Sequence, residues 1–128
     1  SSESLKKLSW GSAQEKINIP TRPSASILNA IKNMFRLIED FLFHEHLINI
    51  FTKVFQDIKS TYLPVFQNLN IESKIAAKRV KEELSYFNED LKSIKIFQEE
   101  SLKYEEFEKV INSIIEDKCS HYLDITSI

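Results

Sequence analysis

The stretch Ala77-Lys78-Arg79-Val80-Lys81-Glu82-Glu83-Leu84-Ser85-Tyr86-Phe87-Asn88-Glu89-Asp90-Leu91-Lys92-Ser93-Ile94 decides the fold. Its apolar members Ala77, Val80, Leu84, Phe87, Leu91 and Ile94 recur at alternating steps of three and four. On a helix of 3.6 residues per turn, such positions line up as one seam and the charged residues between them face away. The period-two alternation of a half-buried strand is missing. Some two and a half heptads make too short a seam for a free coiled coil, but one long enough to pack in a bundle.

The flanking segments repeat the pattern. On the C-terminal side, Leu102, Tyr104, Phe107, Val110, Ile111, Ile114 and Ile115 mark another helix, and Tyr122, Leu123 and Ile125 form a short apolar tail expected to pack as a partial turn. The break between these two helices is placed near Phe97, in a stretch from Lys95 to Ser101 that holds neither glycine nor proline. On the N-terminal side, Leu47, Ile50, Phe51, Val54, Phe55, Ile58 and Tyr62 form a stripe that ends or kinks at Pro64, which has no N–H for the carbonyl of Ser60. Val65, Phe66 and Leu69 prolong that helix before Asn68 and Asn70 make the turn. Ile27, Leu28, Ile31, Met34, Phe35, Ile38, Phe41 and Leu42 predict a first helix of about 18 residues, capped by Ser24 or Ser26. The break after it falls at His44-Glu45-His46. Residues 1–23 read as an extended or partly flexible segment, with Ile19-Pro20-Thr21-Arg22-Pro23 leading into the helix and Leu5, Leu8 and Trp10 available to dock. The expected fold is all-α, an antiparallel bundle of about four amphipathic helices over residues 24–128.

Composition narrows the chemistry. The chain of 128 residues contains one glycine, Gly11. Dinucleotide fingerprints and P-loops need several, because only glycine lets backbone N–H groups approach a phosphate so closely. The net charge of −2 leaves no nucleic-acid footprint. A lone Cys119 cannot close an internal disulfide, which favours a reducing, cytoplasmic setting. No apolar run approaches the roughly 18 residues that span a membrane. The start Ser1-Ser2-Glu3 lacks the features of a signal peptide and an initiator methionine, so a piece of a longer protein is expected.

Several clusters bear on chemistry. His44 and His46 resemble a metal site, yet a helical zinc pair needs i, i+4 spacing and these lie two apart, roughly 200° around a helix. Asp40 and His44 do have that spacing, with His121 or a distant carboxylate as a third ligand. A helical metal-binding or enzymatic domain using His44 and His46 is therefore one alternative. The plainer reading is an interhelix turn with His44 beside the C-terminal dipole of the preceding helix. The pairs Glu82-Glu83, Glu89-Asp90, Glu99-Glu100, Glu105-Glu106 and Glu116-Asp117 are expected on solvated faces, and Cys119 as a semi-buried thiol. No catalytic, cofactor or metal residue is assigned.

Lys74, Lys78 and Lys81, beside Arg79, form a basic stripe and are the candidate binding residues, for phosphoinositide headgroups or an acidic partner. Against this, Glu82 and Glu83 stand four residues after Lys78 and Arg79, the spacing of ordinary intrahelical ion pairs. A domain binding anionic membrane surfaces is the other alternative.

Three stretches carry a family resemblance: Ile19-Pro20 with the serine-rich approach to Ile27-Leu28, then Lys74-Ile75-Ala76-Ala77-Lys78, then Tyr104-Glu105-Glu106-Phe107-Glu108-Lys109-Val110 followed by His121. Over about residues 20–125 the chain resembles the helical-rod vesicle-tethering subunits of the exocyst, COG, Dsl and GARP complexes, and most of all a C-terminal bundle of GARP. The resemblance implies a non-enzymatic protein–protein interaction module in endosome and Golgi traffic. Its partners would be other subunits or SNARE-type helices, with peripheral contact to a Golgi or endosomal membrane and neither nucleic acid nor a small-molecule substrate. It carries no functional residue over to this chain.

Overall fold

A short helix, α1 (Ser2–Lys6), precedes the first long one, α2 (Arg22–Ile38). The computed structural model describes residues 2–12 and 17–123. Thr21 caps α2, in place of the expected Ser24 or Ser26. Its backbone is extended (φ −64°, ψ 160°) and its hydroxyl accepts the Ser24 N–H at a long 3.5 Å. The helix thus starts before Pro23, whose fixed φ suits a first turn that needs no N–H. Ser24 lies buried inside the helix.

The α2 helix also ends earlier than expected, at Ile38, so Phe41 and Leu42 fall in the turn. The reason is packing. Phe35 meets Phe51 edge to face with ring centroids 5.6 Å apart, and the chain between them has to reverse. The reversal occupies 39–43, and α3 (His44–Thr61) begins at the histidines that were expected to be the break. His44 therefore opens a helix instead of lying in the turn.

Pro64 falls in the opening turn of α4 (Leu63–Gln67), directly after α3, and Asn68 closes that turn as expected. Ser73 then caps α5 (Lys74–Lys92), its hydroxyl accepting the Ala76 N–H at 3.1 Å. The long seam stops at Lys92 rather than near Phe97. Between it and α6 (Tyr104–Cys119) lie two 3-10 turns, Lys95–Gln98 and Glu100–Leu102. Lys103 makes the final turn with φ 52° and ψ 51°, the left-handed conformation that glycine usually supplies.

Side-chain pairs fix the directions. Cys119 reaches the Ala77 carbonyl and Tyr104 reaches Asn88, so α5 and α6 are antiparallel. Tyr62 stacks on Phe87 at 3.9 Å while Phe51 meets Phe97, which sets α3 antiparallel to α5. Ser24 bonds Glu83 and Lys32 pairs with Asp90, so α2 runs parallel to α5. The result is an all-helical up-down-up-down bundle, with no strand among the described residues. Its centre is aromatic: the Phe55 ring lies 5.3 Å from Phe97, 5.6 Å from Tyr104 and 5.0 Å from Phe107. Ile96, Phe97 and Leu102 are buried, which pins the 3-10 connector to this core. Each such side chain contributes about 1.5–3 kcal/mol by leaving water.

The segment before α2, expected to be extended or partly flexible, has its own anchors. Leu5 and Trp10 are buried, and Trp10 packs on Phe66 with centroids 5.8 Å apart. Arg79 donates to the carbonyls of Trp10 and Ser12 at 3.0 and 2.7 Å. Gly11 lies against the start of α5, where a β-carbon would come within 3.2 Å of the Ser73 hydroxyl that caps it. Tyr122 and Leu123 pack on the bundle as expected, while Ile125 is outside the described residues.

Candidate functional site

The reversal between α2 and α3 exposes what the helices on either side bury. Phe41 is 83% exposed, Phe43 79%, Leu37 65% and Leu42 37%. Single exposed apolar residues are ordinary, but these four lie within seven residues of one another, at one corner of a small domain. Beside them is a hollow of about 200 Å³ with Phe35, Leu42, Leu47 and Ile96 in its apolar lining and Glu39 and Glu99 among its polar groups. His44 Nε2 lies 3.2 Å from Glu99 Oε1, tying the start of α3 to the connector. Reading Phe41 and Leu42 as an extension of the α2 stripe concealed this corner. Three bulky apolar residues in succession, Phe41-Leu42-Phe43, exceed what one helical face can bury, and that was the available signal.

The basic stripe divides. Lys74, Lys78 and Lys81 line one groove of about 440 Å³ together with Tyr122 and Leu123, and Glu82 and Ser85 complete its wall. Arg79 points elsewhere, to the carbonyls of Trp10 and Ser12, and so has a structural use.

Glu83 corrects the expectation of a solvated carboxylate, being fully buried. Its Oε1 accepts the Thr21 N–H at 2.9 Å, and its Oε2 accepts the hydroxyls of Thr21 and, at 2.7 Å, Ser24. Since Ser24 gives its only proton to Glu83, the 2.9 Å contact with Tyr62 is a donation from the phenol to Ser24. Burial, and secondarily the Glu83 charge, push the Tyr62 phenol well above its ordinary range, while the Ser24 bond opposes them. The N-terminus of α2, which has no acidic residue in its own first turn, thereby receives one from α5. Spacing held the clue. Glu83 stands three residues after Val80 and four before Phe87, in register with the seam. Asn88 is likewise four after Leu84 and three before Leu91.

Asn88 organises a second polar cluster. The Tyr104 hydroxyl shares its one proton between the Asn88 carbonyl at 2.9 Å and the Asn88 Oδ1 at 2.8 Å, and the Asn88 Nδ2 donates to Glu108 at 2.9 Å. Lys92 also binds Glu108, at 3.0 Å. The Asn88 bond first, then that of Lys92, hold the Glu108 carboxyl below its usual value. Burial raises the Tyr104 phenol, with Glu108 and Glu89 adding to it. Burial likewise raises the Cys119 thiol, against a smaller opposite pull from Lys81. Among the described residues, no group of three histidine, cysteine or acidic side chains is placed to hold a metal ion, His44 and His46 included. No described helix is long and apolar enough to cross a membrane. Comparison with protein-family models, curated proteins and solved structures finds no match to this chain.

Proposed function

We propose that this bundle is a protein–protein interaction module that presents the α2–α3 corner to a partner. The observation that carries this reading is the exposure of Phe41 and Phe43 beside a hollow lined by Phe35, Leu42, Leu47 and Ile96. An apolar cluster next to an apolar hollow is the usual form of an interface centre, where a few anchors supply most of the affinity. The Asn88 cluster supports it by tying the end of α5 to the start of α6, on either side of the connector that lines the hollow, which lowers the entropy lost on binding. We place the module within a vesicle-tethering complex acting in endosome and Golgi traffic, on the strength of the resemblance at 19–28, 74–78 and 104–110. Affinity capture from extract of the native cell, comparing the natural chain with Phe41→Ser/Phe43→Ser, tests this. Recovery of tethering-complex subunits by the first and not the second supports the reading, and equal recovery by both contradicts it.

A second reading rests on the convergence of Lys74, Lys78 and Lys81 over one groove. Lysines grouped in this way attract anionic headgroups. Sedimentation with anionic vesicles tests it, and indifference to lipid charge ends it.

A further inference from the structure

We infer that the α2–α3 corner takes an amphipathic helix whose apolar anchors are flanked by lysine or arginine. This deepens the interaction reading and rests on it. Charge and shape together select this occupant. Around the exposed Phe41 and Phe43, residues 36–46 and 95–102 carry five carboxylates, Glu39, Asp40, Glu45, Glu99 and Glu100, against two permanent cations, Arg36 and Lys95. All five are at least partly solvated. Glu39 and Glu99 line the hollow itself, together with Lys95 and with His44, which contacts Glu99, so the excess of negative charge comes from the rim as a whole.

An acidic rim decides among the three classes of occupant that an apolar corner could take. Anionic lipid would bring like charge against the rim, and cytoplasmic membrane surfaces are anionic. A second copy of this chain, meeting the corner by its own corner, would set the same carboxylates against one another, which costs affinity unless they are neutralised. A helix with basic flanks satisfies both halves of the surface. One large apolar side chain enters the hollow of about 200 Å³, neighbouring anchors one helical turn away cover Phe41 and Phe43, and the flanking cations meet the carboxylates. That is the helix-in-groove mode, read as anchors at i, i+3, i+4 and i+7.

The test uses the full chain and two labelled amphipathic peptides that share leucine and phenylalanine anchors and differ only in lysine or glutamate flanks, followed by fluorescence anisotropy. The lysine-flanked peptide is expected to bind at least about tenfold more tightly than its counterpart, and to weaken as salt is raised. Phe41→Ser/Phe43→Ser abolishes the binding, and Glu39→Lys/Glu99→Lys reverses the preference between peptides. Circular dichroism melts of both variants establish that the fold is intact, and Phe41→Ser alone provides the milder check. Equal or tighter binding of the glutamate-flanked peptide overturns the inference, as does corner-dependent dimerisation or corner-dependent binding to anionic vesicles. If neither peptide binds while extract capture still depends on Phe41 and Phe43, the partner chemistry is wrong and the interaction reading stands. If capture is also independent of them, both fall.

Discussion

The Glu83 carboxylate accepts the backbone N–H of Thr21 at 2.9 Å across 62 residues of sequence. This bond joins the middle of one helix to the first turn of another and sets the register of α2 against α5. Buried carboxylates are rare because desolvation disfavours the charge, and this one is accommodated by three donors and a helix N-terminus. Replacing it strands those donors. Glu83→Ala is expected to cost about 3 kcal/mol, since a buried donor left unpaired costs about 1–3 kcal/mol. In a double-mutant cycle by chemical denaturation, Ser24→Ala and Glu83→Ala should couple by more than about 0.5 kcal/mol. Additive losses would mean that the two residues do not act as a unit.

Lys103 occupies the left-handed region at φ 52°, which costs an L-residue roughly 1–2 kcal/mol. Glycine relieves that strain but is more flexible when unfolded, so Lys103→Gly should stabilise the fold by about 0.5–1 kcal/mol. A β-branched residue there should do the opposite. Thermal melts of Lys103→Gly and Lys103→Val check both signs.

Phe41 and Phe43, largely exposed, contribute little to the fold. Serine at both positions should change stability by no more than about 0.5 kcal/mol, as for surface substitutions generally. Phe55→Ala, which removes a ring from the aromatic centre, should cost about 3–5 kcal/mol. Denaturant midpoints measured side by side distinguish surface from core.

Glu108 yields a pH prediction. Its folded pKa lies below the ordinary value because Asn88 and Lys92 bond the charged form. Such a group contributes stability that is fully present above the unfolded value of about 4.3 and is lost as pH falls through the lower folded value. Glu108→Gln should therefore flatten the fall in melting temperature on the acid side of that value and leave the alkaline side unchanged. An unchanged acid slope would show that the Asn88–Glu108 bond is not maintained in solution.

The helices were legible because apolar spacing is a local property: Val80, Leu84, Phe87 and Leu91 name their own face. Boundaries were less so. Thr21 acts as the cap because Glu83 fixes its backbone and hydroxyl from a distant helix, and no neighbour in sequence reveals that. The end of α5 at Lys92 was obscured because its cap, Ser93, stays right-handed and needs no glycine, while Ile94, Ile96 and Phe97 carry apolar residues on into the 3-10 turn. The corner was misread because Phe41 and Leu42 continue the period of α2 after the helix itself has ended. The three lysines were placed on one face by spacing alone, and they do share a groove. Arg79 did not join them, being drawn to carbonyls of the N-terminal segment that its own helix could not announce.

The central claim is that the α2–α3 corner is covered by a protein partner. Photo-crosslinking from a reactive residue at position 41, with mass-spectrometric sequencing of the joined peptide, tests it most directly. The account predicts one discrete protein segment joined at position 41, and no such product from an equivalent probe at the exposed position 112 on α6. Capture of lipid alone, or of the same mixture from both positions, would contradict it.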